Sequence, residues 1–177
     1  GNFDDAQTEV KKIFNNDSFK NRLNANGYQF SSANSMNIGR LVPQISYYLY
    51  TYGQLVRRQE IKLGDEVNFA VPTGNFGDIL AGYYAKKLGL PIKKLICASN
   101  ENNVLTDFFN NGVYDKRRKF HLTNAPAMDI LVPSNLERLL FDLYGENNYE
   151  VASLMNQLTQ RGHYQVSGEV FTKLQKN

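Results

Sequence analysis

Apolar residues recur at helical spacing at Ala6, Val10, Ile13 and Phe14, and again at Leu41, Ile45, Tyr48, Leu49, Tyr52, Leu55 and Val56. Both stretches read as amphipathic helices. Pro43 falls in the first turn of the second, where a missing N–H costs nothing, and Arg57-Arg58 suit the negative pole at its far end. The period then changes. Val67-Asn68-Phe69-Ala70-Val71 reads as a strand, Pro72-Thr73-Gly74-Asn75-Phe76-Gly77 as a tight turn, and Ile79, Leu80, Tyr83, Tyr84 and Leu88 as a helix. Gly89 and Pro91 stop that helix, Lys94-Leu95-Ile96-Cys97-Ala98 supplies a second buried strand, and another helix is expected near Asn103 to Phe109. This βαβ unit predicts parallel neighbouring strands with helices on both faces, the α/β class. Two further helices are expected from Leu136, Leu139, Leu140 and Leu143, capped by Ser134 or Asn135, and from Val151, Leu154, Met155 and Leu158. Two strands are few for a freestanding α/β sheet. The segment Ser31-Ser32-Ala33-Asn34-Ser35 is the expected crossing between two subdomains.

Composition narrows the possibilities. With 42% hydrophobic residues, 177 residues suffice for one core. Apolar runs end well short of the roughly 18 residues that a spanning helix needs, so the chain is expected to be soluble, with no membrane partner. The acidic start Gly1-Asn2-Phe3-Asp4-Asp5 is unlike a targeting segment, which points to the cytoplasm. Twenty basic against 17 acidic residues describe a mixed surface rather than a nucleic-acid footprint, and Lys116-Arg117-Arg118-Lys119 reads as a solvated loop after the turn Asn110-Asn111-Gly112. The single cysteine, Cys97, sits in an apolar run as a small buried hydrophobe. His121 and His163 have no ligand set around them, so no metal site is expected.

The chemistry lies in Gly74-Asn75-Phe76-Gly77, at the junction of a buried strand and a helix. Such a junction points unpaired backbone N–H groups and the positive helix pole at one spot, where an anion fits. The glycines are expected to supply positive φ and close backbone approach, and Asn75 and Thr73 to add side-chain donors. No Gly-Lys-Ser/Thr follows and the third glycine of Gly-x-Gly-x-x-Gly is missing, so ATP and NAD lose support. On the pattern alone, a purely structural turn remains open. Asp78 opposes an anion if its carboxylate faces it, and suits the helix N-terminus if it faces away.

Val71-Pro72-Thr73-Gly74-Asn75-Phe76-Gly77-Asp78-Ile79-Leu80-Ala81-Gly82-Tyr83 closely resembles the cofactor phosphate loop of threonine synthases. Gly1-Asn2-Phe3-Asp4-Asp5-Ala6-Gln7, Asn34-Ser35-Met36-Asn37-Ile38-Gly39-Arg40, Asn102-Asn103-Val104-Leu105 and Pro133-Ser134-Asn135-Leu136-Glu137-Arg138 resemble segments of that family in its order. The resemblance implies part of a fold-type-II pyridoxal-phosphate enzyme that converts O-phospho-L-homoserine and water to L-threonine and phosphate. It further implies that residues 1–33 belong to a smaller subdomain and 34–177 to the large cofactor-binding domain. Gly74, Asn75, Phe76, Gly77 and Asp78 would form the phosphate cup, and Asn34, Ser35, Asn37, Arg40, Ser134, Asn135 and Arg138 would border the substrate cleft.

Chemistry of this class needs a Schiff-base lysine. In the family it lies upstream of the Gly-Asn-Phe-Asp-Asp stretch with which this chain begins, so no catalytic residue is expected here, and the remaining segments of the parent enzyme are expected partners. Ser18-Phe19-Lys20-Asn21-Arg22 imitates the lysine signature of related dehydratases, but it follows that stretch and Leu23 replaces the expected glycine, so Lys20 reads as a surface lysine. About three charge-assisted bonds from the loop, less the entropy of association, leave millimolar binding of the cofactor. A short non-catalytic phosphate-binding module and a nucleotide-binding α/β domain of another family are the competing readings.

Overall fold

The computed structural model describes residues 3–176. Gly1 and Asn2 of the first family-like segment, with the side chains of Phe3, Asp4 and Gln7, lie outside the described residues. The chain opens with α1 (Phe3–Phe14) and α2 (Asp17–Ala25), whose start is capped by Asn16 accepting from the Phe19 amide at 3.0 Å. Phe30 fastens the pair, its ring 4.9 Å from Phe14 and 5.4 Å from Phe19. No residue of α2 is buried, and Val10 and Ile13 of α1 stay exposed, so the apolar stripe expected of α1 is open to solvent over these two residues.

The body of the molecule begins with α3 (Ile38–Leu41), a 3-10 turn (Val42–Gln44) and α4 (Ile45–Arg57). Pro43 sits in the 3-10 turn rather than in the first turn of α4. Strand β1 (Val67–Pro72), helix α5 (Gly77–Lys87) and strand β2 (Ile92–Ala98) then form the βαβ unit, the strands parallel with Val71 opposite Cys97 and Pro72 opposite Ala98. Alternation sends Phe69, Val71, Leu95 and Cys97 toward the helices, while Asn68, Ala70, Lys94 and Ile96 are exposed. Tyr48 of α4 meets Phe69 edge-on at 4.9 Å. The α/β class and parallel unit are thus present, with helices packed on one face of the sheet and the opposite face open among the described residues.

Helix α6 (Val104–Asn111) ends at Gly112, whose φ of 75° turns the chain directly into β3 (Val113–Asp115). After a 3-10 turn (Pro126–Met128) come α7 (Leu136–Leu143), α8 (Asn148–Arg161), β4 (His163–Gln165) and α9 (Gly168–Lys176). Strands β3 and β4 pair antiparallel, and their central tyrosines, Tyr114 and Tyr164, stack at 5.1 Å. Phe108 stands edge-on to both, and all three rings are buried together with Leu80, Val104 and Leu140 in one continuous core. Neither strand is evident in the sequence, because three residues carry too little alternation to register. No helix of the described residues is long and apolar enough to cross a membrane.

Close approach of α4 to α5 depends on Gly82. A Cβ there would lie 2.7 Å from the Tyr48 ring and 3.0 Å from Leu95. Gly82→Ala is expected to lower stability by about 1–3 kcal/mol through overpacking, outweighing the alanine's better helix propensity. A urea midpoint at or above that of the unsubstituted chain would refute this packing.

Candidate phosphate-binding site

The site begins where β1 runs out. The Thr73 amide donates to the Ala98 carbonyl at 2.8 Å, extending the ladder one residue past the strand, and the Thr73 hydroxyl donates back to the Val71 carbonyl at 2.7 Å. The chain then reverses through Phe76, whose φ of 67° places a non-glycine residue in the left-handed region at the N-cap of α5. This corrects the sequence expectation: Phe76, not either glycine, carries the positive φ. Burial holds it there, for the Phe76 ring is 4% exposed and lies 6.1 Å from Phe109. The glycines serve proximity instead. A Cβ on Gly74 would come within 3.2 Å of the Ala127 carbonyl, and one on Gly77 within 2.6 Å of the Ser35 hydroxyl.

Among the described residues, the amides of Gly74, Asn75, Phe76, Asp78 and Ile79 make no hydrogen bond within the protein; only the Gly77 amide is occupied, by Asn75 Oδ1 at 3.1 Å. They border a cavity of about 290 Å³ formed by residues 72–79 with Ala127, Met128 and Ile130. Several unpaired donors at the positive pole of α5 suit an anion with several oxygens. The side chains of Thr73 and Asn75, expected as extra donors, are engaged within the protein instead. The Tyr48 hydroxyl lies 2.9 Å from the Asp78 carbonyl and 3.3 Å from its carboxylate. That contact ties Asp78 to α4, and burial raises its carboxyl above the ordinary value against the opposing pull of the Tyr48 hydrogen bond.

Three of the residues carried over from the resemblance converge behind the loop. Ser35 Oγ accepts from Asn75 Nδ2 at 2.9 Å and from Asn135 Nδ2 at 3.0 Å. The Asn75 carbonyl accepts from the Asn135 amide at 3.2 Å and from its side chain at 3.1 Å. Arg138 donates to the carbonyls of Ser35 and Met36, each at 2.8 Å, and to Asn135 Oδ1. Asn135 is wholly buried, so its bond to Ser35 is made away from competing water, while the other side-chain bonds are partly buried. The other four lie elsewhere. Asn34 accepts from the Met36 amide, Asn37 caps α3 through the Gly39 amide, Arg40 is exposed, and Ser134 lines a separate cavity.

A further group had no signal strong enough to mark it in the sequence. Asp129, 2% exposed, accepts from Asn100, Asn102, and both the amide and hydroxyl of Thr123, at 2.7–3.1 Å. It thereby holds the Ala127–Met128 turn that faces Gly74. Among the remaining candidates, Lys20 lies 3.4 Å from Asp17 on α2, Cys97 is half-buried with its thiol raised by burial, and the basic run is partly tied down, Arg117 to Asp115 and Arg118 to Asp107.

Two outcomes follow from this geometry. Ser35→Ala removes the shared acceptor of two amides and is expected to cost about 1–3 kcal/mol, with faster hydrogen exchange at Gly77; unchanged urea unfolding would contradict it. The Asp129 carboxyl is lowered chiefly by the Thr123 backbone N–H, then by the side-chain bonds around it. Its stabilisation is therefore complete above the unfolded value of about 3.9 and is lost as pH falls through the lower folded value. Asp129→Asn should flatten the acid limb of the stability curve below about pH 4, and an acid limb as steep as before would contradict the assignment.

Comparison with known proteins follows the same line. No protein-family model matches the chain. It is 46% identical to human threonine synthase-like 1 over 177 residues, 99% of this chain and 24% of that protein. It is 39% identical to threonine synthase of Saccharomyces cerevisiae over 186 aligned residues, 100% of this chain and 35% of that one. The fold superposes on the crystal structure of pyridoxal-phosphate-bound threonine synthase from Brucella melitensis with a TM-score of 0.82 and 40% identity, covering all of this chain and 36% of that one. The yeast enzyme gives 0.79 at 39% identity. Along its whole length, then, the chain is homologous to one stretch of the threonine synthases and threonine synthase-like proteins, spanning about a quarter to a third of the length of each relative compared.

Proposed function

We propose that this chain is the phosphate-gripping portion of a pyridoxal-phosphate-dependent threonine synthase acting in the cytoplasm. The parent enzyme would convert O-phospho-L-homoserine and water to L-threonine and phosphate. The observation that carries the reading is the set of unpaired amides at Gly74, Asn75, Phe76 and Asp78, in the segment whose residues match the family's cofactor loop. When bound, the cofactor supplies an electron sink for carbanion chemistry. This chain's share is to bind and orient: the five residues Gly74 to Asp78 hold the phosphate group, and Ser35, Asn135 and Arg138 act through Asn75 as positioning residues. Arg40, exposed beside the crossing at Ser31–Ser35, is the proposed substrate contact among the remaining cleft candidates. Residues 1–33 belong to the smaller subdomain and 34–177 to the cofactor-binding domain.

No lysine here takes the covalent role. Lys20, the sequence mimic, lies on α2 beside Asp17, a helix without a buried residue. The isolated chain therefore binds weakly and does not catalyse. A ligand that binds only the folded state stabilises it by RT ln(1 + L/Kd), with L the free ligand concentration, and so raises the unfolding temperature. Inorganic phosphate at about ten times a millimolar Kd should stabilise the chain by about 1.4 kcal/mol relative to chloride of equal ionic strength. After mixing with pyridoxal phosphate and gel filtration, no cofactor absorbance should remain. Equal unfolding temperatures in phosphate and chloride would overturn the loop assignment, and a borohydride-fixed adduct specific to Lys20 would overturn the assignment of the lysine to another segment.

A further inference from the structure

Asp78 is an unexpected neighbour for an anion. Its backbone amide is one of the free donors at the start of α5, but its side chain is a carboxylate in the first turn of the same helix. An aspartate in that position readily hydrogen-bonds its own or a neighbouring backbone N–H, drawn by the positive pole of the helix. The site thus carries its own competitor for the donors that a phosphate would use. Among the described residues that competition does not occur. The amides of Asp78 and Ile79 stay unbonded, and the carboxylate's side-chain hydrogen bond is with the Tyr48 hydroxyl, 3.3 Å from Oδ1. Asp78 forms no ion pair among those residues, so no cation holds the carboxylate aside.

Tyr48 is placed to hold it. Its ring is 4% exposed, meets Phe69 edge-on at 4.9 Å and fills the space left by Gly82, where a Cβ would lie 2.7 Å from it. A ring wedged in this way fixes the hydroxyl 2.9 Å from the Asp78 carbonyl and beside the carboxylate. Burial, then the Asp78 charge, push the phenol above its ordinary value, so it stays protonated and donates. Tyr48 lines a small cavity of about 170 Å³ along β1, which shares only Pro72 and Asp78 with the phosphate-loop cavity. The hydroxyl therefore draws the carboxylate toward α4 and away from the loop amides.

We propose that Tyr48 is a positioning residue of the anion site, its hydroxyl latching the Asp78 carboxylate against α4 so that the amides at the start of α5 stay open to a phosphate group. The inference rests on the phosphate-loop reading, but it has a consequence that shows without any ligand. Released from Tyr48, the carboxylate turns onto the Asp78 and Ile79 amides and closes the site from within.

Amide NMR of the full 177-residue chain near neutral pH tests it, comparing the unsubstituted protein with Tyr48→Phe, Asp78→Ala and the double variant. Phenylalanine keeps the ring contacts and removes only the hydroxyl. In the ligand-free Tyr48→Phe chain, the Asp78 and Ile79 amides should move downfield and exchange more slowly, and the Ile79 changes should vanish when Asp78→Ala is added. Titrated with inorganic phosphate at constant ionic strength, Tyr48→Phe should bind about tenfold more weakly, because only molecules with open amides are competent. Asp78→Ala should bind at least as tightly as the unsubstituted chain, and adding Tyr48→Phe to it should change nothing further. A purely structural tyrosine would instead weaken binding equally with and without Asp78, and that result would overturn the proposal. So would equal phosphate affinity of Tyr48→Phe and the unsubstituted chain, or ligand-free Asp78 and Ile79 amides unmoved by Tyr48→Phe. Should phosphate leave the loop amides of the unsubstituted chain unmoved, the loop reading fails, and the ligand-free comparison alone still decides the latch.

Discussion

The structure turns on one hydroxyl, Ser35 Oγ, which accepts hydrogen bonds from the side chains of both Asn75 and Asn135. These residues are separated by 40 and 100 positions along the chain, and their meeting point lies directly beneath the first turn of α5. With its side chain and carbonyl both committed to this network, Asn75 can do little but present its amide to the cavity. The same constraint explains Gly77: any side chain there would occupy the space that the hydroxyl needs. A polar network is costly when incomplete and rigid when complete. Here its members are buried or partly buried and mutually satisfied, so the loop is held open rather than allowed to fold its amides onto neighbouring carbonyls.

Within the loop, strain enters at Phe76. Phe76 adopts a left-handed backbone that costs about 1 kcal/mol or more for a residue with a Cβ. Burial of its ring beside Phe109 offsets that cost and couples the loop's shape to the core around α6. The opposite wall is set separately, by a carboxylate whose acceptor capacity is filled by Asn100, Asn102 and Thr123. Loop and wall are thus held by different networks that meet across the cavity, which lets a site made of flexible-looking segments keep a fixed geometry.

Much of this was legible in the sequence wherever local rules decide. The change from period two to period 3.6 across Pro72–Gly77, with Gly89 and Pro91 beyond, marked the βαβ unit, and the strand-to-helix junction pointed to where the unpaired amides gather. Local reading did less well with the roles inside the loop. It assigned positive φ to the glycines and donor roles to Thr73 and Asn75, whereas the structure gives the φ to Phe76 and turns both side chains inward. Those choices depend on Ser35 and Asn135, whose approach is tertiary and has no periodic signature. The resemblance to threonine synthases did bring Ser35, Asn135 and Arg138 forward, though as cleft residues rather than as supports of the loop. Strands β3 and β4 escaped notice because a three-residue pairing is defined by its partner, in this case by the stacked Tyr114 and Tyr164.

The central claim is that the amides at the start of α5 are held ready for a phosphate group. Amide NMR during titration with inorganic phosphate at constant ionic strength observes those groups directly. Saturable downfield shifts at Gly74, Asn75, Phe76 and Asp78, with Gly77 least affected because Asn75 already occupies it, are the expected result. Shifts spread over the lysine-rich surface, with those four amides unmoved, would contradict the account.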